Sequence, residues 1–299
     1  MGSPSSDDTA AALPPRCCLS VPASSERMLA KARGIEVDEL VLDLEDAVAP
    51  DQKAAARAAV VEALADGGFA APRVAVRVNA PGTPWCHEDV LALASAPVPP
   101  VSLVIPKVER EAELQFVELL IAAVRARTGR EPALRLQALI ETARGVAAVD
   151  RVAESLPRLE ALIVGYADLA ASLGRRDGLP SSAWLAVQDR VLVAARANGL
   201  AAIDGPCLTI EPQDALRAEV QATRALGYDG KWAIHPAQID VITGAFTPTE
   251  DERAQARATL EALAAAEAGG AGAAAVSGAM VDEASRRRAV AVLARADRG

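Results

Sequence analysis

The 299-residue sequence predicts one (β/α)8 barrel followed by a helical C-terminal extension. Two observations carry this. Eight short apolar, β-rich runs alternate with alanine-rich stretches over roughly 230 residues, the pattern and scale of a closed parallel barrel. Ionisable residues gather where those runs end, the rim on which barrel chemistry is built. An open doubly wound sheet is the alternative. It is weakened because no Gly-x-Gly-x-x-Gly follows the first run.

The predicted strands are 17–21, 39–45, 73–79, 101–108, 134–141, 159–165, 201–205 and 231–236. The stretches between and after them, 24–33, 51–66, 86–95, 109–128, 142–155, 181–198, 211–226 and 236–245, read as helices, since alanine has the best helix propensity. Residues 1–14 read as a disordered tail, and the barrel as 15–246. The extension, 247–299, opens with a helix over 247–268, which Thr249 caps ahead of an acidic first turn. A flexible linker at 269–275 and a short extended piece lead into a final helix ending near 296. This segment is not needed to close a barrel and reads as a lid, as an arm onto a neighbouring subunit, or as a helix packed on its own barrel.

Composition excludes several functions. Only two histidines are present, His87 and His235, so a multi-histidine metal site is ruled out. Any metal needs oxygen ligands, hence Mg²⁺, Ca²⁺ or Mn²⁺. A net charge of −9 and 3% aromatic residues argue against nucleic-acid binding. Cys17, Cys18, Cys86 and Cys207 lack metal-like spacing and read as reduced core thiols of a cytoplasmic protein. No apolar run is long enough to cross a membrane, and the N-terminus does not look like a signal peptide.

The strand ends supply the candidate site. Asp43, Glu45 and Asp46 follow strand two; Arg77 and Asn79 end strand three; Lys107 and Glu109 follow strand four. Glu141 ends strand five, and Gly165, Tyr166, Ala167 and Asp168 follow strand six. Asp204 and His235 end the last two strands. Glu141 and Asp168, on adjacent strand ends, can share one Mg²⁺, whose remaining positions suit the oxygens of an α-keto or α-hydroxy acid. Arg77 can clamp that acid's carboxylate. Each residue also has a plainer reading: helix capping for Glu141 and Asp168, and an ion pair with the acidic cluster for Arg77. His235 reads as a structural hydrogen-bonding group and His87 as a surface residue.

These motifs make the chain resemble the CoA-ester lyases related to the citrate lyase β subunit, within the HpcH/HpaI aldolase superfamily, including malyl-CoA and citramalyl-CoA lyases. The matching segments are RCCLSVPASSERMLAKA (16–32), LVLDLEDAVAPDQKAAAR (40–57), VAVRVNAPGTPW (74–85), LVIPKVE (103–109), LIETARGV (139–146), VGYADLAASLG (164–174), AIDGP (202–206), GYDGKWAIHPAQI (227–239) and SGAMVDEAS (277–285). The resemblance implies Mg²⁺, with Mn²⁺ as a substitute, and CoA as part of the substrate. It implies Glu141 and Asp168 as metal ligands, with Glu45 and Asp46 supporting them. Arg77 becomes the keto-acid clamp, and the backbone from Gly165 to Asp168, spanning Tyr166 and Ala167, a second hold on the acid. Arg16 and Lys31 match positions near the CoA phosphates, and Lys107 is a further basic candidate. The resemblance implies a homotrimer, sometimes doubled to a hexamer, in which Asp282 reaches a neighbour's site as an acid/base. Asp282 also reads as the N-cap of the last helix. One departure is Ala23, where the family usually has glycine. The expected reaction is reversible cleavage of a 3-hydroxyacyl-CoA to acetyl-CoA and a 2-oxo acid. Rivals are a malyl-CoA thioesterase or malate-synthase-like reaction, a citryl-thioester lyase subunit, a CoA-independent class II pyruvate aldolase, and a non-catalytic metabolite-binding subunit.

Overall fold

A computed structural model describes residues 13–24, 26–176, 179–210 and 213–296. Contacts divide it into two compact units, one over Pro14–Thr243 and one over the described residues from Gly244 onward. Of the expected disordered tail, residues 1–12 lie outside the described residues.

The first unit is a closed, all-parallel barrel of eight strands in sequence order. They are β1 (Cys17–Pro22), β2 (Glu39–Asp43), β3 (Arg73–Arg77), β4 (Val101–Ile105), β5 (Leu134–Ile140), β6 (Leu159–Val164), β7 (Ala201–Asp204) and β8 (Gly230–Ala233). Closure is direct, since β1 pairs with both β2 and β8. Alternation along each strand sends Cys18, Val41, Ala75, Val104, Leu139, Ala161, Ile163, Ile203 and Trp232 into one interior cluster. Leu40 and Leu42, flanking Val41, are equally buried on the outer face. Burial on both faces explains why the strands read as continuous apolar runs. At the strands' N-terminal ends Arg73 bridges Glu39 and Glu160 at 3.2 and 2.9 Å, a polar layer opposite the rim that carries the candidate site.

The helices between and after the strands are α1 (Glu26–Ala32), α2 (Lys53–Asp66), α3 (Cys86–Ser95), α4 (Glu111–Thr128), α5 (Ala143–Ala153), α6 (Tyr166–Ser172), α7 (Leu185–Ala197), α8 (Gln213–Leu226) and α9 (Ile239–Phe246). All eight predicted strands are present, and most end a few residues early. Residues such as Leu44 and Val108 leave the ladder at the rim, where the chain turns into its loops. Helix α6 is not among the helical stretches read from the sequence, although the plainer reading of Asp168 as a helix cap implies it. Gly165 opens it and Asp168 sits in its first turn, a signal the sequence did carry.

The second unit contains α10 (Glu250–Ala268), a hairpin of β9 (Ala274–Val276) and β10 (Ala279–Val281), and α11 (Glu283–Ala296). Thr249 caps α10 in a reciprocal box with Glu252, as expected. Of the expected flexible linker at 269–275, residues 269–273 lie outside helix and strand, and the last two begin β9. Gly278, at φ 80°, with Ser277 also in the left-handed region, makes the tight turn that lets the strands pair.

Candidate active site

A cavity of about 280 Å³ lies at the C-terminal mouth of the barrel, with Leu139, Val164 and Trp232 among its apolar walls. Its polar wall includes Asp43 and Asp46 after β2, Arg77 at the end of β3, Glu141 after β5 and Asp168 after β6. Register explains the first contact: Asp43 pairs with Arg77 across β2 and β3, so the two side chains stand abreast. Arg77 Nε and Nη2 donate to the two Asp43 oxygens at 2.8 and 2.6 Å. Its Nη1 lies 3.0 Å from Glu45 Oε2. Arg77 therefore has the ion pairs of its plainer reading and also faces the cavity. Burial would discharge it, but Asp43, Glu45 and Asp46 outweigh that and raise its pKa.

Glu141 follows β5 directly, and the side chain is almost fully buried. It does not cap α5; Thr142 does, accepting from the Gly145 amide at 3.0 Å. The Lys107 amide donates to Glu141 Oε1 at 2.8 Å. Gly165 abuts it, for a β-carbon at Gly165 would stand 2.5 Å from Glu141 Oε2. Only glycine permits that approach. Asp168 stands in the first turn of α6, lining the cavity, and its side chain is 39% exposed. The amides of Tyr166, Ala167 and Asp168 open that helix and have no carbonyl partner within it. Gly165 is different, since its amide is already given to Ile140 O at 3.1 Å.

Lys107 is placed otherwise than expected. It does not stand apart as a phosphate ligand but projects into the carboxylates, with Nζ 2.6 Å from Glu45, 3.5 Å from Asp46 and 3.7 Å from Asp168. Arg16 is also corrected. It precedes β1, at the opposite end of the barrel, and its Nε and Nη2 both donate to Asp38 at 2.8 Å. Lys31 is exposed in the last turn of α1. Tyr166 lines the cavity, but its hydroxyl turns away and donates to Asp204. Asp204 also accepts from Lys231 Nζ at 2.6 Å and Thr223 at 2.9 Å. This buried network, beside a second cavity of about 440 Å³, was missed as a unit because it joins residues remote in sequence. Lys53, likewise missed, donates to the Leu44 and Glu45 carbonyls at 2.8 and 2.6 Å and fixes the loop after β2. His235 Nδ1 accepts from the Ala237 amide at 3.1 Å, and His87 is exposed, both as expected. All four cysteines are free and buried. Ala23 is buried and donates its amide to Asp43 O at 2.9 Å.

The donor set suits a hard divalent cation. Burial, reinforced by the charges of Glu45 and Asp168, pushes the Glu141 carboxyl up to about 8. The buried Glu45 Oε2 has no hydrogen-bond partner despite its nearness to Arg77. The cluster thus holds more carboxylate than its own cations relieve. Among the described residues no group of three or more His, Cys, Asp or Glu converges on one point. Glu141 and Asp168 both line the cavity, and two carboxylates are a number that Mg²⁺ accepts, its shell then completed by substrate oxygens and water. In the second unit, Asp282 Oδ1 accepts from the Ser285 amide at 3.1 Å and caps α11, and these hydrogen bonds lower its pKa. No helix among the described residues is long and apolar enough to cross a membrane.

Comparison with known proteins gives one picture. The model of the HpcH/HpaI aldolase/citrate lyase family matches residues 16–236. An L-malyl-CoA/β-methylmalyl-CoA lyase of Cereibacter sphaeroides is 35% identical, with 96% of each chain covered. A (3S)-malyl-CoA thioesterase of the same species is 38% identical over 90% of each chain. The structure of CitE from Mycobacterium tuberculosis in complex with magnesium, acetoacetate and coenzyme A superposes with a TM-score of 0.76 at 32% identity, covering 96% of this chain and 99% of that one.

Proposed function

The chain belongs to the HpcH/HpaI aldolase/citrate lyase family and is a carbon–carbon lyase of the CoA-ester type, and from that premise we propose a Mg²⁺-dependent reversible cleavage of malyl-CoA or citramalyl-CoA to acetyl-CoA and a 2-oxo acid. The observation that supports this reading most is the convergence of Arg77, Glu141, Asp168 and the amides opening α6 on one small cavity. Glu141 and Asp168 hold the metal. Mg²⁺ supplies Lewis-acid stabilisation to the oxygen that becomes the carbonyl. Arg77, kept rigid by Asp43, offers its remaining face to the acid's carboxylate. The apolar walls suit a small uncharged substituent on the 2-oxo acid. A second carboxylate, as in oxaloacetate, meets no further cation among the residues lining the cavity.

Asp282 is the acid/base at the thioester α-carbon. Its capping hydrogen bonds hold it ionised, the form that takes a proton from acetyl-CoA in condensation. In cleavage the same proton returns to the enolate. The extension carries Asp282 into a neighbouring subunit's site within a homotrimer or hexamer. Lys31 serves the CoA phosphates.

The decisive experiment incubates the protein with acetyl-CoA, Mg²⁺ and each 2-oxo acid in turn and identifies products by mass. Condensation with glyoxylate or pyruvate, abolished by chelation, is expected; no condensation with any 2-oxo acid sinks the proposal. The 38% identity to a thioesterase favours one second reading, hydrolysis of the same thioester. With malyl-CoA supplied, stoichiometric free CoA and malate in place of acetyl-CoA and glyoxylate identify it.

A further inference from the structure

Lys107 stands out among the cations of the rim. It follows β4 at φ 53°, in the left-handed region that residues with a β-carbon rarely occupy. Backbone held there at an active site is kept by its surroundings. Two contacts account for it. The Lys107 amide donates to Glu141 Oε1 at 2.8 Å. The same turn aims Nζ at Glu45 (2.6 Å), Asp46 (3.5 Å) and Asp168 (3.7 Å).

We infer that Lys107 is a positioning residue that sets the metal affinity of the site, its amide orienting Glu141 while its ammonium competes with the divalent ion for Asp168. The inference rests on the reading of Glu141 and Asp168 as metal ligands. Asp168 serves both cations, so each weakens the hold of the other. Like charges a few ångströms apart in a half-buried site repel strongly. The ammonium also holds Glu45 and Asp46 together in the face of their mutual repulsion, which stabilises the metal-free site. The consequence is a site that binds Mg²⁺ more weakly than its carboxylates would without the ammonium, and releases it more readily.

Calorimetric titration of Mg²⁺ into chelator-stripped protein tests this without reference to turnover. Lys107→Met retains the amide and removes the charge, and its Mg²⁺ dissociation constant should fall about tenfold. Lys107→Arg retains the charge and should stay within about twofold of the native value. Thermal melts give the second readout: Lys107→Met should melt below the native protein with chelator present, and the gap should close in excess Mg²⁺. Unchanged or weaker Mg²⁺ binding in Lys107→Met overturns the inference, as does an equal loss of stability with and without the metal. Glu141→Gln separates the two levels. If it leaves Mg²⁺ binding intact, the ligand assignment itself has failed; if it abolishes binding while Lys107→Met changes nothing, only the role of Lys107 has.

Discussion

At the scale of single residues the site is governed by close approach and by charge crowding. Gly165 has no room for a β-carbon, because Glu141 fills that space. Gly165→Ala should therefore displace Glu141, weakening Mg²⁺ binding and lowering turnover by about a hundredfold or more, since small displacements of positioned groups are that costly. Circular dichroism should report an intact fold; native Mg²⁺ affinity in this variant would show that Glu141 is not the ligand. Crowding makes a pH prediction. The Glu141 carboxyl is raised from 4.5 to about 8, so the folded protein holds this proton more tightly than the unfolded chain. Its contribution to stability is whole below about 4.5 and is lost as pH rises through about 8. With chelator present, unfolding free energy should decline across that window by a few kcal/mol. Saturating Mg²⁺, which favours the ionised carboxylate, should flatten the decline. Melting curves across the range check both halves.

At the scale of elements the informative case is the start of α11, where one residue carries two duties. Asp282 caps the helix, and we assign it the proton transfer at the thioester. Asparagine caps about as well as aspartate, whereas alanine costs about 1 kcal/mol. Asp282→Asn should thus keep native stability while turnover drops about 10²–10⁴-fold, the usual span of a general acid/base. Asp282→Ala should lose both. Full activity in Asp282→Asn would leave only the cap. The hairpin before it orders the end of a stretch rich in glycine and alanine. Gly278 supplies the left-handed turn, and pairing of Ala279 with Val276 fixes the register that delivers Asp282 to its cap.

At the scale of the whole molecule the proposal concerns assembly. If Asp282 serves a neighbour, a Glu141→Gln subunit and an Asp282→Asn subunit are defective in different sites of a shared oligomer. Equal mixing with subunit exchange should restore about a quarter of native activity, the fraction of sites drawing both intact residues. Light scattering should report a trimer or hexamer beforehand. A mixture no more active than its components would place Asp282 in its own subunit's chemistry.

Much of this was legible in the chain. The eight apolar runs, the acidic and basic residues at their ends and the Thr249 cap follow from local patterning, because side-chain period and rim position are set by neighbours in sequence. The oxygen-only donor set followed from a histidine count of two. What local pattern could not give was the partner each charge takes. Arg16 and Lys107 look alike as basic residues beside strands. Parallel register sends one to Asp38 at the foot of the barrel and the other among the carboxylates at its mouth. The need for glycine at 165, the turning of the Tyr166 hydroxyl toward Asp204 and the left-handed backbone at Lys107 belong to the same class. Each depends on distances between residues tens of positions apart, and barrel closure is what fixes those distances.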